Sequence, residues 1–362
     1  MKIAIVGTVG IPAKYGGFET LVEYLTRELG GYYKFSVYCS SKAYTEKLDN
    51  HNNASLVYLP FNANGAQSII YDILSMIHAA KSKSDVMLIL GVSGCFFLPL
   101  LKLFYHKPII VNIDGLEWKR EKWSQKVKIF LKFSEKMAVN YGDHVVTDNK
   151  VIQDYVMSEY GKSSTLIAYG ADHVKKVEVT SESRQKYTFL NGRYAFKVCR
   201  IEPENNVHMI LEAFAEITTM SLVIVGNWQN SEYGRTLKEQ YSVYPHIYLI
   251  NPIYDQNILN QLRSNCTIYV HGHSAGGTNP SLVEAMHLGL AIVAFGVTYN
   301  RETTDNCALY FNNSNELKQI VEIISDKEIL ILGLSMYTFA KEHYSWKMIA
   351  SKYAKLFEYK GK

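Results

Sequence analysis

The sequence predicts an α/β protein made of two doubly wound parallel-sheet domains. Three observations carry that expectation. Short apolar runs of the buried parallel-strand type alternate with helical stretches along most of the chain. Glycine-bearing loops follow strand candidates in both halves. The length, 362 residues, exceeds one ordinary core and makes two domains the natural organisation.

In the first half, strand candidates fall at 2–6, 35–39, 55–59, 86–90, 109–113 and 145–148. The first leads into GTVGIPAKYGGFET, with Gly7, Gly10, Gly16 and Gly17. A helix then follows with Leu21, Val22, Leu25 and Leu29 on one face, stopping at Gly30 and Gly31. Strand, glycine loop and helix open a dinucleotide-type α/β unit, although the spacing is not GxGxxG. Gly16 and Gly17 are the candidates for close ligand approach, and a tight turn explains them equally well. Lys14 and Tyr15 lie beside them. Ligands of such sheets bind beyond the carboxyl ends of the strands, which also draws attention to 91–94 and to Asp114-Gly115-Leu116-Glu117.

In the second half, the expected strands are 194–199, 221–225, 247–250, 267–270 and 291–295, with a helix from about 207 to 217. The 221–225 run ends at Gly226 and Asn227. The most informative stretch is HGHSAGGTNPSLVEAMHLGLAIVAF, residues 271–295. Gly276 and Gly277 form a turn, Asn279 before Pro280 marks a helix start, and Gly289 ends that helix. A helix start after a glycine turn aims N–H groups and a positive dipole end at one point, an anion site unless it is only a capped helix. Glu284 lies one turn inside. The expected domains are 1–172 and 187–340, joined by a polar linker, with a final helix in 341–362 packing back on the first domain.

Hydrophobic content of 48% and charged content of 20% fit a globular protein, and a net charge of +4 does not argue for nucleic acid. The five cysteines are scattered without metal-ligand spacing, as expected of buried thiols in a reducing compartment. Four apolar residues before Gly7 are too few for a signal-peptide core, so the expected location is cytoplasmic. The uncharged stretch 86–101 contains Gly91, Ser93, Gly94 and Pro99. It reads as a strand, a turn and an apolar helix rather than a membrane span.

Between Lys119 and Lys136 lie Lys119, Arg120, Lys122, Lys126, Lys128, Lys132 and Lys136 against Glu121 and Glu135, with Trp118 and Trp123 nearby. A basic amphipathic helix with tryptophans suits an anionic membrane surface, peripheral on the inner face; a solvated flank of a core-packed helix is the alternative.

The two α/β halves with their glycine loops resemble the GT-B fold, and the C-terminal pieces resemble retaining family 4 glycosyltransferases. Arg200 matches an arginine that binds the donor diphosphate, Gly226-Asn227 a glycine-rich turn, and Glu284 the second glutamate of a paired motif. With GTVGIPAKYGGFET and NIDGLEWKREKW, HGHSAGGTNPSLVEA resembles a bacterial subgroup of capsular and cell-wall rhamnosyltransferases. Two positions depart from the pattern: Gly276 stands where the first glutamate belongs, and Asn205 where a lysine helps hold the diphosphate. The resemblance implies a metal-independent retaining transferase moving a sugar, L-rhamnose from dTDP-rhamnose by best fit, from a dTDP- or UDP-linked donor bound in an inter-domain cleft. The acceptor would be a saccharide or lipid-linked saccharide in surface polysaccharide synthesis. Arg200 and the backbone of Gly276, Gly277, Thr278 and Asn279 would hold the diphosphate. Glu284 would bind the ribose, Tyr254 would lie near the base, and Asp114 and Glu117 would face the acceptor. A sugar-nucleotide epimerase and a non-catalytic glycan-binding partner are the alternatives.

Overall fold

The structure, a computed structural model, describes residues 1–14 and 16–359. Tyr15 and the last three positions of the expected 341–362 segment lie outside the described residues. The chain forms two compact units, Met1–Gly170 with Trp346–Lys362, and Ala171–Ser345.

The first unit runs β1 (Lys2–Val6), α1 (Gly17–Leu29), β2 (Lys34–Ser40), β3 (Asn50–His51), β4 (Ala54–Leu59), α2 (Gln67–Lys81), β5 (Val86–Leu90), α3 (Leu98–Leu101), β6 (Ile109–Asn112), α4 (Gln125–Tyr141), β7 (His144–Thr147), α5 (Lys150–Tyr160) and β8 (Thr165–Leu166). The second runs α6 (Ser181–Lys186), β9 (Tyr194–Val198), α7 (Val207–Glu216), β10 (Ser221–Val225), α8 (Glu232–Tyr241), β11 (Ile247–Ile250), α9 (Gln256–Ser264), β12 (Ile268–His271), α10 (Pro280–His287), β13 (Ile292–Phe295), α11 (Thr298–Thr303), β14 (Leu309–Phe311), α12 (Ser314–Ile323) and α13 (Asp326–His343). A last helix, α14 (Trp346–Phe357), returns to the first unit.

The sheets have eight and six strands, in the orders β3-β4-β2-β1-β5-β6-β7-β8 and β11-β10-β9-β12-β13-β14. Every pairing is parallel except β3 with β4. This is the doubly wound α/β architecture the strand and helix alternation predicts. Central strands such as β5 are buried along their whole length, which is why they read as continuous apolar runs rather than alternating ones. The strand order reverses between β1 and β5 in one sheet and between β9 and β12 in the other. Those are the crevices where sheets of this class take ligands.

Helix α14 is held by aromatic packing. Trp346 stacks on Tyr24 with ring centroids 4.6 Å apart, and Phe357 meets Tyr33 and Phe35 edge-on. A Cβ on Gly170 would sit 2.5 Å from the Trp346 ring, so glycine is what lets this helix seat. The stretch 173–186, expected as a linker, belongs to the second unit instead. Its polar composition misleads because hydrogen bonds order it: Val177 N–H donates to Ser264 Oγ, Thr180 N–H donates to Gln261 Oε1, and Thr180 caps α6. The uncharged 86–101 stretch divides into β5, a 3₁₀ turn and α3, and no helix among the described residues is long and apolar enough to cross a membrane.

Candidate functional site

The loops after β9 and β12 meet at the crevice of the second sheet. Ser274 N–H donates to Glu204 O at 2.8 Å, and Asn206 Nδ2 donates to Gly272 O at 2.9 Å. Asn205 crosses between the loops, with Nδ2 donating to Arg200 O at 3.0 Å and Oδ1 lying 3.3 Å from His273 Nδ1. Gly272 has no room for a side chain, since a Cβ would meet Asn205 O at 2.3 Å. Asn206 takes a left-handed φ of 48°, which asparagine tolerates better than most residues.

Beyond this zipper the β12 loop turns through Gly276, whose φ of 99° only glycine adopts readily. Asn279 is the N-cap of α10, its Oδ1 accepting from Ser281 N–H at 3.0 Å, and Leu282 and Val283 N–H donate to Asn279 O. The first turn of α10 is therefore satisfied from within. The N–H groups of Gly276, Gly277 and Asn279 donate to no described residue, so the unspent donors lie just upstream of the helix. Thr278 between them is buried. Beneath the loop, burial, with Lys197 and His273 adding like charge, pushes the His271 imidazole well below its ordinary range, so that ring is neutral.

Glu284 faces Arg263 and His173. Arg263, 1% exposed on α9, pairs with Oε2, and His173 Nε2 lies 3.3 Å from Oε1. Burial alone would raise the carboxyl, but the Arg263 guanidinium and then the His173 hydrogen bond outweigh it and hold it at about 2. A carboxylate offers about four lone-pair sites, so acceptor capacity remains on a group whose side chain is 18% exposed. Arg200 is exposed at the start of the β9 loop. At Gly226 a Cβ would meet Cys199 O at 2.6 Å, so that glycine allows the β10 end to pack on the β9 loop. Asn227 is exposed, with Oδ1 accepting from Gln229 N–H, and Tyr254 is 70% exposed before the Asp255 cap of α9. The structure thus gathers Gly276, Gly277, Thr278, Asn279 and Arg200 on the two crevice loops, while Gly226, Asn227 and Tyr254 sit on the loops after β10 and β11.

In the first unit, Gly16 has φ 133°, and a Cβ there would fall 1.8 Å from Glu19 Oε2. Glu19 is buried and accepts from Thr8 Oγ1 and Val9 N–H, while Glu23 accepts from Ala13 N–H. The glycine loop is therefore stapled by the first turns of α1, and Gly17 begins that helix. Asp114 follows β6 with a left-handed φ of 59° and accepts from Tyr169 Oη at 3.3 Å. Its N–H donates to Asn112 Oδ1, and Asn112 Nδ2 donates to Tyr353 Oη on α14. It caps no helix. Burial, then the nearby Glu117 charge, raises its carboxyl, with Arg120 opposing. Glu117 is engaged by Arg120 at 3.0 Å, Lys122 at 3.4 Å and Trp123 Nε1 at 2.9 Å, a partly buried ion-pair cluster.

The basic stretch 119–136 is not one helix, because α4 starts only at Gln125. Trp118 and Trp123 lie ahead of it and point inward: Trp118 Nε1 donates to buried Glu135 Oε2, which Tyr155 and Tyr160 also engage through Oε1. Lys132 covers the Trp118 ring and pairs with Glu159 at 3.0 Å, so it serves this cluster rather than a free basic face.

Residues 179–330 match the model for glycosyl transferases group 1, and residues 1–172 match a domain of unknown function, DUF1972. The chain is a glycosyltransferase. Its fold is that of the GT-B enzymes. It is similar to sucrose-phosphate synthase from Thermosynechococcus elongatus, with 15% identity, TM-score 0.83 and 98% of each chain covered. It is also similar to Anabaena HepE in complex with UDP, at 13% identity, TM-score 0.76 and coverage of 98% of this chain and 99% of that one. A trehalose-6-phosphate structure from E. coli bound with UDP-2-fluoro glucose gives 11% identity and TM-score 0.72, with both chains fully covered. No curated protein matches the chain.

Several residues of this glycosyltransferase escape a sequence reading: Arg263 and His173 on Glu284, Asn206 in the loop zipper, and Asn112, Tyr169 and Tyr353 around Asp114. Only Asn206 carried a local signal, an Asn at a strand-to-helix turn. The others act through partners far away in sequence.

Proposed function

We propose that this enzyme moves a sugar from a nucleoside diphosphate donor to a saccharide or lipid-linked saccharide acceptor with retention of configuration, L-rhamnose from dTDP-rhamnose being the best fit. The observation that carries the reading is the crevice loop of the second unit. Unspent N–H groups at Gly276, Gly277 and Asn279 stand with Arg200 at the point where the strand order reverses. Such donors suit a diphosphate, and a guanidinium adds bidentate contacts as negative charge develops on the leaving group. The UDP bound to HepE and the UDP-2-fluoro glucose of the E. coli structure support a nucleoside diphosphate of this kind. Glu284, held ionised, accepts from the ribose hydroxyls. Gly226, Asn227 and Tyr254 border the nucleotide.

On the first unit, Asp114 is the acceptor-side base, because burial raises its carboxyl toward the range in which proton transfer is useful. Glu117 positions its loop. Gly16 and Gly17 shape the backbone near the sugar. Surface polysaccharide synthesis from the inner membrane face is the setting that suits a lipid-linked acceptor.

Calorimetry with dTDP and UDP tests the donor reading, together with transfer assays on Arg200→Ala and Glu284→Gln. Binding of one nucleotide and transfer lowered about a hundredfold or more in folded variants are expected. Absence of binding to either nucleotide, or wild-type turnover in both variants, sinks the assignment.

A further inference from the structure

The segment after β13 lies beside the crevice loops on the same edge of the second sheet and has no part in the donor site as described. Strands β12 and β13 run parallel, and their pairing ends with His271 opposite Ala294. Past that pair the Asn300 side chain joins them. Asn300, 1% exposed on α11, donates from Nδ2 to His273 O at 2.8 Å and to Phe295 O at 2.9 Å. Both partners are carbonyls, so the amide is fixed with its two hydrogens toward them. Asparagine is a poor helix former, because its side chain competes for backbone groups. Here it is spent on carbonyls from two strand ends, which an apolar residue could not satisfy. Its own backbone is secured separately, with Asn300 O accepting from Thr304 N–H at 3.1 Å and from Thr304 Oγ1 at 2.7 Å.

His273 is thereby held at both backbone and ring, since its Nδ1 lies 3.3 Å from Asn205 Oδ1 and Asn205 Nδ2 donates to Arg200 O. Hydrogen bonds therefore run from the end of β13 through the β12 loop to the β9 loop, as far as the residue that carries the guanidinium. Ser274 is fastened as well, its N–H and Oγ both donating to Glu204 O. Only Ala275 separates it from Gly276, where the glycine turn begins.

We infer that Asn300 is a positioning residue of the donor site. It fixes the base of the β12 turn, so that the N–H groups of Gly276, Gly277 and Asn279 stand in one arrangement before the diphosphate arrives. It acts through His273 rather than on the diphosphate. Glycine gives the turn its shape but also its freedom, and donors already ordered spare the ligand the cost of ordering them. The inference rests on the donor reading of this loop and adds α11 to it.

The test is calorimetry of the full chain with UDP and dTDP, paired with hydrogen exchange of the ligand-free chain. Asn300→Asp keeps the shape and loses both donors, and Asn300→Ser leaves room for water should the aspartate variant fail to fold. Each should weaken nucleotide binding about tenfold or more. Exchange should quicken in the 270–279 segment, where Ser274 N–H loses protection, and stay unchanged in α12. Thr304→Val is the control, since it removes a buried hydroxyl from the end of α11 without touching the Asn300 amide. It should lower the melting temperature and leave nucleotide affinity and 270–279 exchange as in the wild type. Wild-type affinity in folded Asn300→Ser overturns the inference alone. So does an equal loss of affinity in Thr304→Val, because general softening of α11 would then suffice. A wild type that binds neither nucleotide sinks the donor reading itself, and the positioning role with it.

Discussion

Replacing Arg263 by methionine isolates the strongest electrostatic dependence in the second unit. Arg263 is almost wholly buried, with Nη1 on Glu284, Nη2 donating to Asn260 Oδ1 at 2.9 Å, and Nε without a partner among the described residues. Its presence is the main reason the Glu284 carboxyl lies at about 2 rather than at 4.5. That displacement corresponds to about 3 kcal/mol, near the cost of breaking a buried pair by removing one partner. Methionine keeps most of the volume and strands the carboxylate with His173 alone.

The dependence on pH has a definite sign. In the wild type the folded value is depressed, so Glu284 contributes its full stability above the ordinary carboxylate range and loses it as pH falls toward about 2. In Arg263→Met burial prevails and the folded value rises above the unfolded one. The variant then loses stability as pH increases between those two values. Urea denaturation at pH 5 and pH 7 should therefore show a deficit of about 3 kcal/mol at pH 7 that narrows at pH 5. Adding Glu284→Gln should recover much of it, because no charge is left stranded. A deficit that is the same at both pH values, or below about 1 kcal/mol at pH 7, would refute the account.

Two further outcomes are expected. Because burial and Glu117 raise the Asp114 carboxyl, kcat/KM should climb with pH through a value above the ordinary carboxylate range. Asp114→Asn should abolish that limb and lower transfer about a hundredfold; an unchanged profile removes Asp114 as the base. Asn205→Lys restores the residue usual in the resembled family, yet it should lower stability by about 2 kcal/mol in thermal melts by losing the contacts to Arg200 O and His273. It should not tighten nucleotide binding in calorimetry, and a gain in affinity would show that the position simply lacks a cation.

What could be read in the sequence was what one segment specifies for itself. The Asn279-Pro280 start of α10, the apolar face of α1 and the fully buried β5 each follow from local chemistry, and their alternation fixes the doubly wound sheets. Residues whose role depends on a distant partner were invisible. Trp118 reads as a membrane anchor until Glu135 is seen to hold its indole N–H, and the 173–186 stretch reads as a linker until α9 supplies its hydrogen-bond partners. The two departures from the family pattern show the same limit most sharply. Read singly, Gly276 and Asn205 are a lost carboxylate and a lost cation. In the structure His273 lies between them: its Nδ1 meets Asn205 Oδ1, and its Nε2 lies 3.4 Å from where a Cβ on Gly276 would be. A lysine at 205 would forfeit the acceptor that orients the ring, and a side chain at 276 would meet the ring in a left-handed conformation suited to glycine. The two positions therefore form one rearrangement around an imidazole, a hydrogen-bonded turn in which the N–H groups of Gly276, Gly277 and Asn279 donate to no described residue.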